Sequence, residues 1–161
     1  MSDFYEPSSE FLVMVVKGEA SIIGSIFAEA NLQKTIELST DSDPKNRDWA
    51  NYILGNYDCD SPAVRAALLS GASDEDERVR AEAIRGLARK YPDAALPYIH
   101  RAFASPPVKT NIFVAAALVA DQSLVPSLSA FAAEPLNDGL DDLIAAALKA
   151  CQTGVPDELY R

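Results

Sequence analysis

A chain of 161 residues, 48% hydrophobic, is long enough and apolar enough to bury a core, which excludes a disordered polymer. Its net charge of −10 opposes nucleic-acid phosphates and anionic lipid, which are gripped by Lys and Arg, and favours a basic protein partner. Cys59 and Cys151 stand far apart with no metal-binding spacing, and no apolar run reaches the roughly 18 residues of a membrane helix. The acidic start MSDFYEPSSE lacks the basic region of a secretory signal, so a cytoplasmic chain with free thiols is expected, away from membranes.

In chain order, Met1 to Pro7 reads as a loose tail. Ser8 and Ser9 precede Glu10 as helix caps, and the apolar run Phe11–Val16 comes next; its pattern alone also fits a strand. Gly18 permits a break. Glu19–Ala30 then carries Ile22, Ile23, Ile26 and Phe27 at helical spacing, so helix–break–helix is expected over about residues 8–30, shielding the open end of the first repeat.

From Asn31 the chain reads as four helix pairs, at about 31–57, 61–91, 93–120 and 123–152, in a single domain spanning 1–161. In the first pair, Leu32, Ile36 and Leu38 form a short helix and Pro44 opens its partner, where a missing N–H does no harm. That partner buries Ala50, Ile53, Leu54 and Tyr57. The third pair runs from about Asp93 to Ser105 and from Pro107 to Ala120. The fourth runs from about Ser123 to Ala133 and from Asn137 to Gln152, with Leu140, Ile144 and Leu148 as its apolar face.

The most informative stretch is Ser73–Phe103. Asp74, Asp76 and Glu77 lead into a helix on which Val79, Ala83, Leu87 and Tyr91 recur at helical spacing. Arg78, Arg80, Glu82, Arg85 and Arg89 lie mostly on its other sides, and Pro92 ends it. Residues 40–55 repeat this pattern about 33 residues upstream: Asp41 meets Asp74, Asp43 meets Asp76, Arg47 meets Arg80, Ala50 meets Ala83 and Leu54 meets Leu87. Such a period belongs to helical solenoids, in which each pair buries its apolar face against its neighbour. The basic position is replaced by Asn111 and then Asp141 in the last two pairs.

The patterns D-x-D-P-x-x-R-x-x-A-x-x-x-L-G at 41–55 and D-x-D-E-R-V-R-x-E-A-I-x-x-L-A at 74–88 resemble HEAT repeats, and R-D-W-A, D-S-P-A-V-R and E-A-I-R-G-L-A look like those of bacterial HEAT-like proteins. The resemblance covers about residues 31–150 and is weaker in the last two pairs. It implies an all-α fold, an α-α superhelix of about four helix pairs, used as a protein-binding scaffold whose second helices line a concave surface. It also implies that Asp43, Arg47, Asp76 and Arg80 brace neighbouring repeats and that the chain is no enzyme. Some HEAT-like proteins are DNA glycosylases with a basic channel, but the cluster Arg78, Arg80, Arg85, Arg89 and Lys90 is local in an acidic chain. Others are chromophore lyases, and nothing here marks a tetrapyrrole pocket.

No reactive constellation stands out. His100 is the only histidine and cannot form a two-histidine metal site. The D-x-D pairs at 41–43, 58–60 and 74–76 lack the Gly and terminal Glu of a calcium loop and read as helix caps. Cys59, between two aspartates, is no natural thiolate, and Cys151 has no general base in its sequence context. No catalytic residue, metal or cofactor is expected. The surface to test first joins Trp49 and Tyr52, which align with polar Glu82 and Arg85, to Asp48 and Arg89; aromatics on an exposed face anchor partners. Trp49 and Tyr52 could instead pack against the N-terminal helices in this terminal repeat. A protein partner, in the manner of an adaptor or immunity protein, and a monomer or weak homodimer complete the expectation.

Overall fold

The computed structural model describes residues 5–134 and 138–160. Among them are nine α-helices and no strand: α1 Glu10–Val16, α2 Ala28–Leu38, α3 Pro44–Asn56, α4 Pro62–Gly71, α5 Glu77–Lys90, α6 Pro92–Phe103, α7 Thr110–Val119, α8 Val125–Ala132 and α9 Asp138–Thr153. After α1, they pair as α2/α3, α4/α5, α6/α7 and α8/α9, an all-α arrangement of the helical-repeat type. The contacts divide into two compact units, Met1–Gly86 and Leu87–Arg161. Met1 to Phe4 and the expected helix start at Asn137 lie outside the described residues.

In the first unit, local chemistry sets the helix starts. Asp43 precedes Pro44 and accepts the Lys45 N–H (2.9 Å), and Ser61 precedes Pro62 and accepts the Val64 N–H (3.1 Å). Asp76 does the same for α5, accepting from Arg78 N (2.8 Å) and Val79 N (3.3 Å). The D-x-D motifs at 41–43 and 74–76 divide their work, whereas the pair at 58–60, expected to cap a helix, leaves that role to Ser61. The first carboxylate closes a turn onto the second residue's N–H, Asp41 on Asp43 and Asp74 on Asp76, both at 2.8 Å. The second carboxylate caps the helix.

α1 forms as expected and ends at Gly18, whose φ of +77° allows Gly18 N to reach Val15 O and Glu19 N to reach Met14 O. The second cap helix does not form. Residues 17–27 are turns and bends, and α2 begins only at Ala28. Of the four residues at helical spacing, Ile22 alone is buried, while Ile26 and Phe27 are exposed. Gly24 at φ +69° and the Asn31 Nδ2 bond to Ser21 O (2.8 Å) hold a loop instead.

Leu12, Val15, Ile53, Leu54, Val64, Leu68, Val79 and Ile84 make this unit's core. Two close approaches shape it. A Cβ added to Gly55 of α3 would stand 2.7 Å from the Gly86 Cα of α5, so these two helices meet backbone to backbone. A Cβ on Gly71 would meet Asn51 Oδ1 at 2.5 Å. Asn51 is fully buried, and its Nδ2 donates to Arg47 O within α3 (2.8 Å), leaving Oδ1 against the Gly71 backbone without a hydrogen-bond donor.

In the second unit, α6 packs on α7, and α9 covers both α7 and α8. Phe103, Phe113 and Phe131 form a cluster with centroids 5.2–5.6 Å apart. α7 starts at Thr110, three residues later than expected. It ends at Ala120, which takes φ +52°, and the carbonyl of Ala117 accepts the Asp157 N–H from the segment after α9 (3.1 Å). α9 buries Leu143, Ile144, Ala147, Ala150 and Cys151, whereas Leu140 and Leu148 are half-buried; the inner face is turned from the expected one.

Candidate functional site

The two D-x-D turns lead to a brace between the first two pairs. Arg47 of α3 grips Asp74, at the start of the next second helix, with Nε to Oδ2 at 2.7 Å and Nη2 to Oδ1 at 2.8 Å. Its Nη1 reaches the carbonyls of Asp41 and Ser42. Both side chains are about a tenth exposed, and the Arg47 bond helps to hold the Asp74 pKa below the usual carboxylate range despite burial. Arg80 repeats the carbonyl half of this pattern, onto Asp74 O (2.6 Å) and Glu75 O (2.8 Å). Asp43 and Asp76 are the helix caps, so the carboxylate that spans repeats is Asp74, which sequence reasoning placed only among the caps. Its signal was present: the first Asp of the motif faces back to the preceding Arg.

The residues nominated as a partner surface gather on α3 and α5. Trp49 and Tyr52 meet edge to face at 5.6 Å, and the Arg85 guanidinium lies 5.7 Å from the Tyr52 ring centre. Arg85 also binds Glu82 through Nε (3.1 Å) and Nη2 (2.5 Å). Glu82 is buried rather than turned outward. Tyr52 is 37% exposed and Trp49 half-buried. Arg89 is exposed, one turn further along α5, and belongs to the second unit.

Part of this face already carries a ligand of its own chain. The segment from Tyr5 to Ser9 lies along α3. The Trp49 indole donates to Tyr5 O (3.2 Å), Ser8 Oγ donates to Asp43 Oδ2 (2.6 Å), and Ser9 N donates to the buried Asn46 Oδ1 (2.9 Å). The Tyr5 ring sits under Arg78 of α5, 4.9 Å from the ring centre, and its phenol lies near enough to the Asp48 carboxylate for each to influence the other's charge. Burial is the main cause that raises the Asp48 carboxyl to about 6 and the Tyr5 phenol to about 12. Ser9 occupies the N-cap position of α1, yet its side chain makes no capping bond.

Elsewhere the chemistry is sparse. Exposed His100 Nε2 lies 2.9 Å from Ser123 Oγ, and Asp121 also bonds Ser123. The carboxylate meets the serine rather than the histidine, which is not the order that activates a nucleophile. Cys59 and Cys151 are buried free thiols; desolvation pushes Cys151 up to about 11, away from reactivity. No three His, Cys, Asp or Glu among the described residues converge as a metal site, and no described helix is long and apolar enough to cross a membrane.

Helix pairs at steps of about thirty residues, with D-x-D turns capping α3 and α5 and Arg47 tied to Asp74, define a helical-repeat protein. The family model described as HEAT repeats matches residues 32–120, more than half of the sequence, and the chain belongs to the HEAT repeat family. Among solved structures, the X-ray structure of Escherichia coli YibA is similar with a TM-score of 0.65 and 24% identity. The match covers 79% of this chain and 45% of that one, so the chain spans less than half of that protein's length. No curated protein matches the sequence.

Proposed function

We propose that the chain is a non-catalytic scaffold that binds another protein through the α3–α5 face. HEAT repeats suggest a scaffold of this kind, often used for protein interaction. The observation that carries the reading to this face is the linked set Trp49, Tyr52, Glu82 and Arg85, with a non-helical segment of the chain already seated beside it on Trp49 and Asn46. An aromatic pair flanked by a paired charge supplies contact area at low side-chain entropy cost and fixes register. Adaptor or immunity-type use in the cytoplasm fits this reading, and the charge of −10 favours a basic partner over nucleic acid or membrane.

The test is photocrosslinking in cells from a benzophenone amino acid at position 52, with exposed position 37 on α2 as control. One protein should be captured from position 52 and not from 37, and Arg85→Ala should reduce its yield severalfold. Equal capture from both positions, or no effect of Arg85→Ala, would remove the assignment to this face.

A further inference from the structure

Tyr5, Ser8 and Ser9 make specific contacts although Tyr5 to Ser9 belong to no helix. Each contact uses a different group of the receiving helices: Arg78 covers the Tyr5 ring, Trp49 holds the carbonyl, Asp43 accepts the serine hydroxyl and Asn46 takes the backbone N–H. Asn46 is 5% exposed, so its acceptor is built into the face rather than borrowed from the surface. Backbone N–H and C=O are read together with two side chains, as in the recognition of a peptide segment by a protein face. The segment is tied into α1 at Ser9, whose carbonyl accepts the Val13 N–H (3.3 Å), while the contacts of Tyr5 and Ser8 do not depend on that helix.

We infer that this face is a receptor for a non-helical peptide segment with a tyrosine and, three residues later, a hydroxyl side chain, and that Tyr5–Ser9 is its built-in competitor, displaced when a partner supplies such a segment. The inference rests on the scaffold reading and adds the chemistry of the partner and the regulation of the site. An intramolecular ligand lowers apparent affinity by the fraction of time it occupies the site, so loosening it should raise affinity without altering the contacts.

The test uses the full-length chain carrying Tyr5→Ala and the emission of Trp49, its only tryptophan. The probe is the capped pentapeptide YEPSS, residues 5–9, against the control AEPSS. YEPSS should change the emission saturably in the Tyr5→Ala chain and bind the unsubstituted chain at least tenfold more weakly. AEPSS should bind neither, and adding Arg78→Ala to the Tyr5→Ala chain should abolish the response with an unchanged circular dichroism spectrum. Equal titration by the two peptides, or equal affinity of the two chains, overturns the inference. A Trp49 signal in the unsubstituted chain that depends on protein concentration, together with a sedimenting dimer, also overturns it by assigning the segment to a second copy. Peptide failure with protein still crosslinked from position 52 would sink this inference and leave the scaffold. Peptide binding without any crosslinked protein would do the reverse.

Discussion

Replacing Arg47 by Met keeps the apolar stem and removes the guanidinium from a brace that is about nine-tenths buried on both sides. What remains is the Asp74 carboxylate with one backbone donor, the Asp76 N–H, and the carbonyls of Asp41 and Ser42 without their charged partner. Breaking a buried pair from one side costs about 3–5 kcal/mol. The surviving backbone bond and the residual exposure put this case near the lower end, at about 3 kcal/mol. Asp74→Asn keeps the turn acceptor and a neutral hydrogen bond, and should cost roughly half as much. The double variant should be more stable than the sum of the two losses, by about 1.5 kcal/mol, because the second substitution removes the stranded charge. Urea unfolding monitored by far-UV circular dichroism measures all four corners of the cycle. Arg47→Met within about 0.5 kcal/mol of the unsubstituted chain, or strict additivity in the double variant, would refute the brace. The Asp74 pKa is depressed, so its contribution is present above its unfolded value near 3.9 and is lost as pH falls through the lower folded value; the gap between Arg47→Met and the unsubstituted chain should close in strong acid.

Asp48 runs the other way. Its pKa is raised to about 6, so its contribution is full below about pH 3.9 and lost as pH rises through about 6. Two pKa units correspond to about 3 kcal/mol, of which roughly half survives solvent screening, so Asp48→Asn should stabilise the chain by about 1 kcal/mol at pH 7.5 and by little at pH 4; a gap independent of pH would contradict this. Gly55→Ala should lower the melting temperature despite better helix propensity, since its Cβ meets the Gly86 backbone at 2.7 Å, whereas Gly139→Ala, with nothing within 4 Å, should raise it slightly. Leu87 is fully buried, and Leu87→Asp should abolish the cooperative melt, because a lone buried carboxylate plus about 2 kcal/mol of lost transfer energy approaches the whole stability of a small domain. A melt unchanged in circular dichroism would count against that placement.

The helices were legible wherever a cap and a period agreed. Asp43 with Pro44 and Asp76 before Glu77 each announced a start that the structure honours, whereas α4 is capped by Ser61 and not by the aspartate pair at 58–60. Glu19–Ala30 misled because its period was right but its punctuation was not. Gly18 and Gly24 both take positive φ, and Ser21 and Asn31 close a loop that no apolar pattern reveals. Glu82 looked like a solvated charge, and its burial is explained by Arg85 three residues on, a pair that a single helix can make. The site was half legible. Type and register brought Trp49, Tyr52, Glu82 and Arg85 together, but the bond from Trp49 to Tyr5 spans more than forty residues of sequence, and no local rule encodes a contact between a tail and a helix face.

The fading of the repeat pattern along the chain has a physical counterpart. The brace needs an Arg early in one second helix and a carboxylate at the turn before the next. Arg47 finds Asp74, but the position in register with Asp74 one repeat on falls at 105–107, where the sequence is Ser-Pro-Pro, and the bonds of Arg80 run instead to the carbonyls of its own turn. Beyond that point the Arg itself is gone, replaced by Asn111 and Asp141, and the second unit packs by other means. Three phenylalanines fill its core, and the buried alanines of α7 and α9 let those helices lie close. Packing of small and aromatic side chains leaves a weaker sequence signature than a charged pair at fixed spacing, because many apolar residues of the right volume serve. The family match runs to residue 120, through a third pair that lacks the brace, and helix pairing continues beyond it through α9, so the fold outlasts the ionic brace.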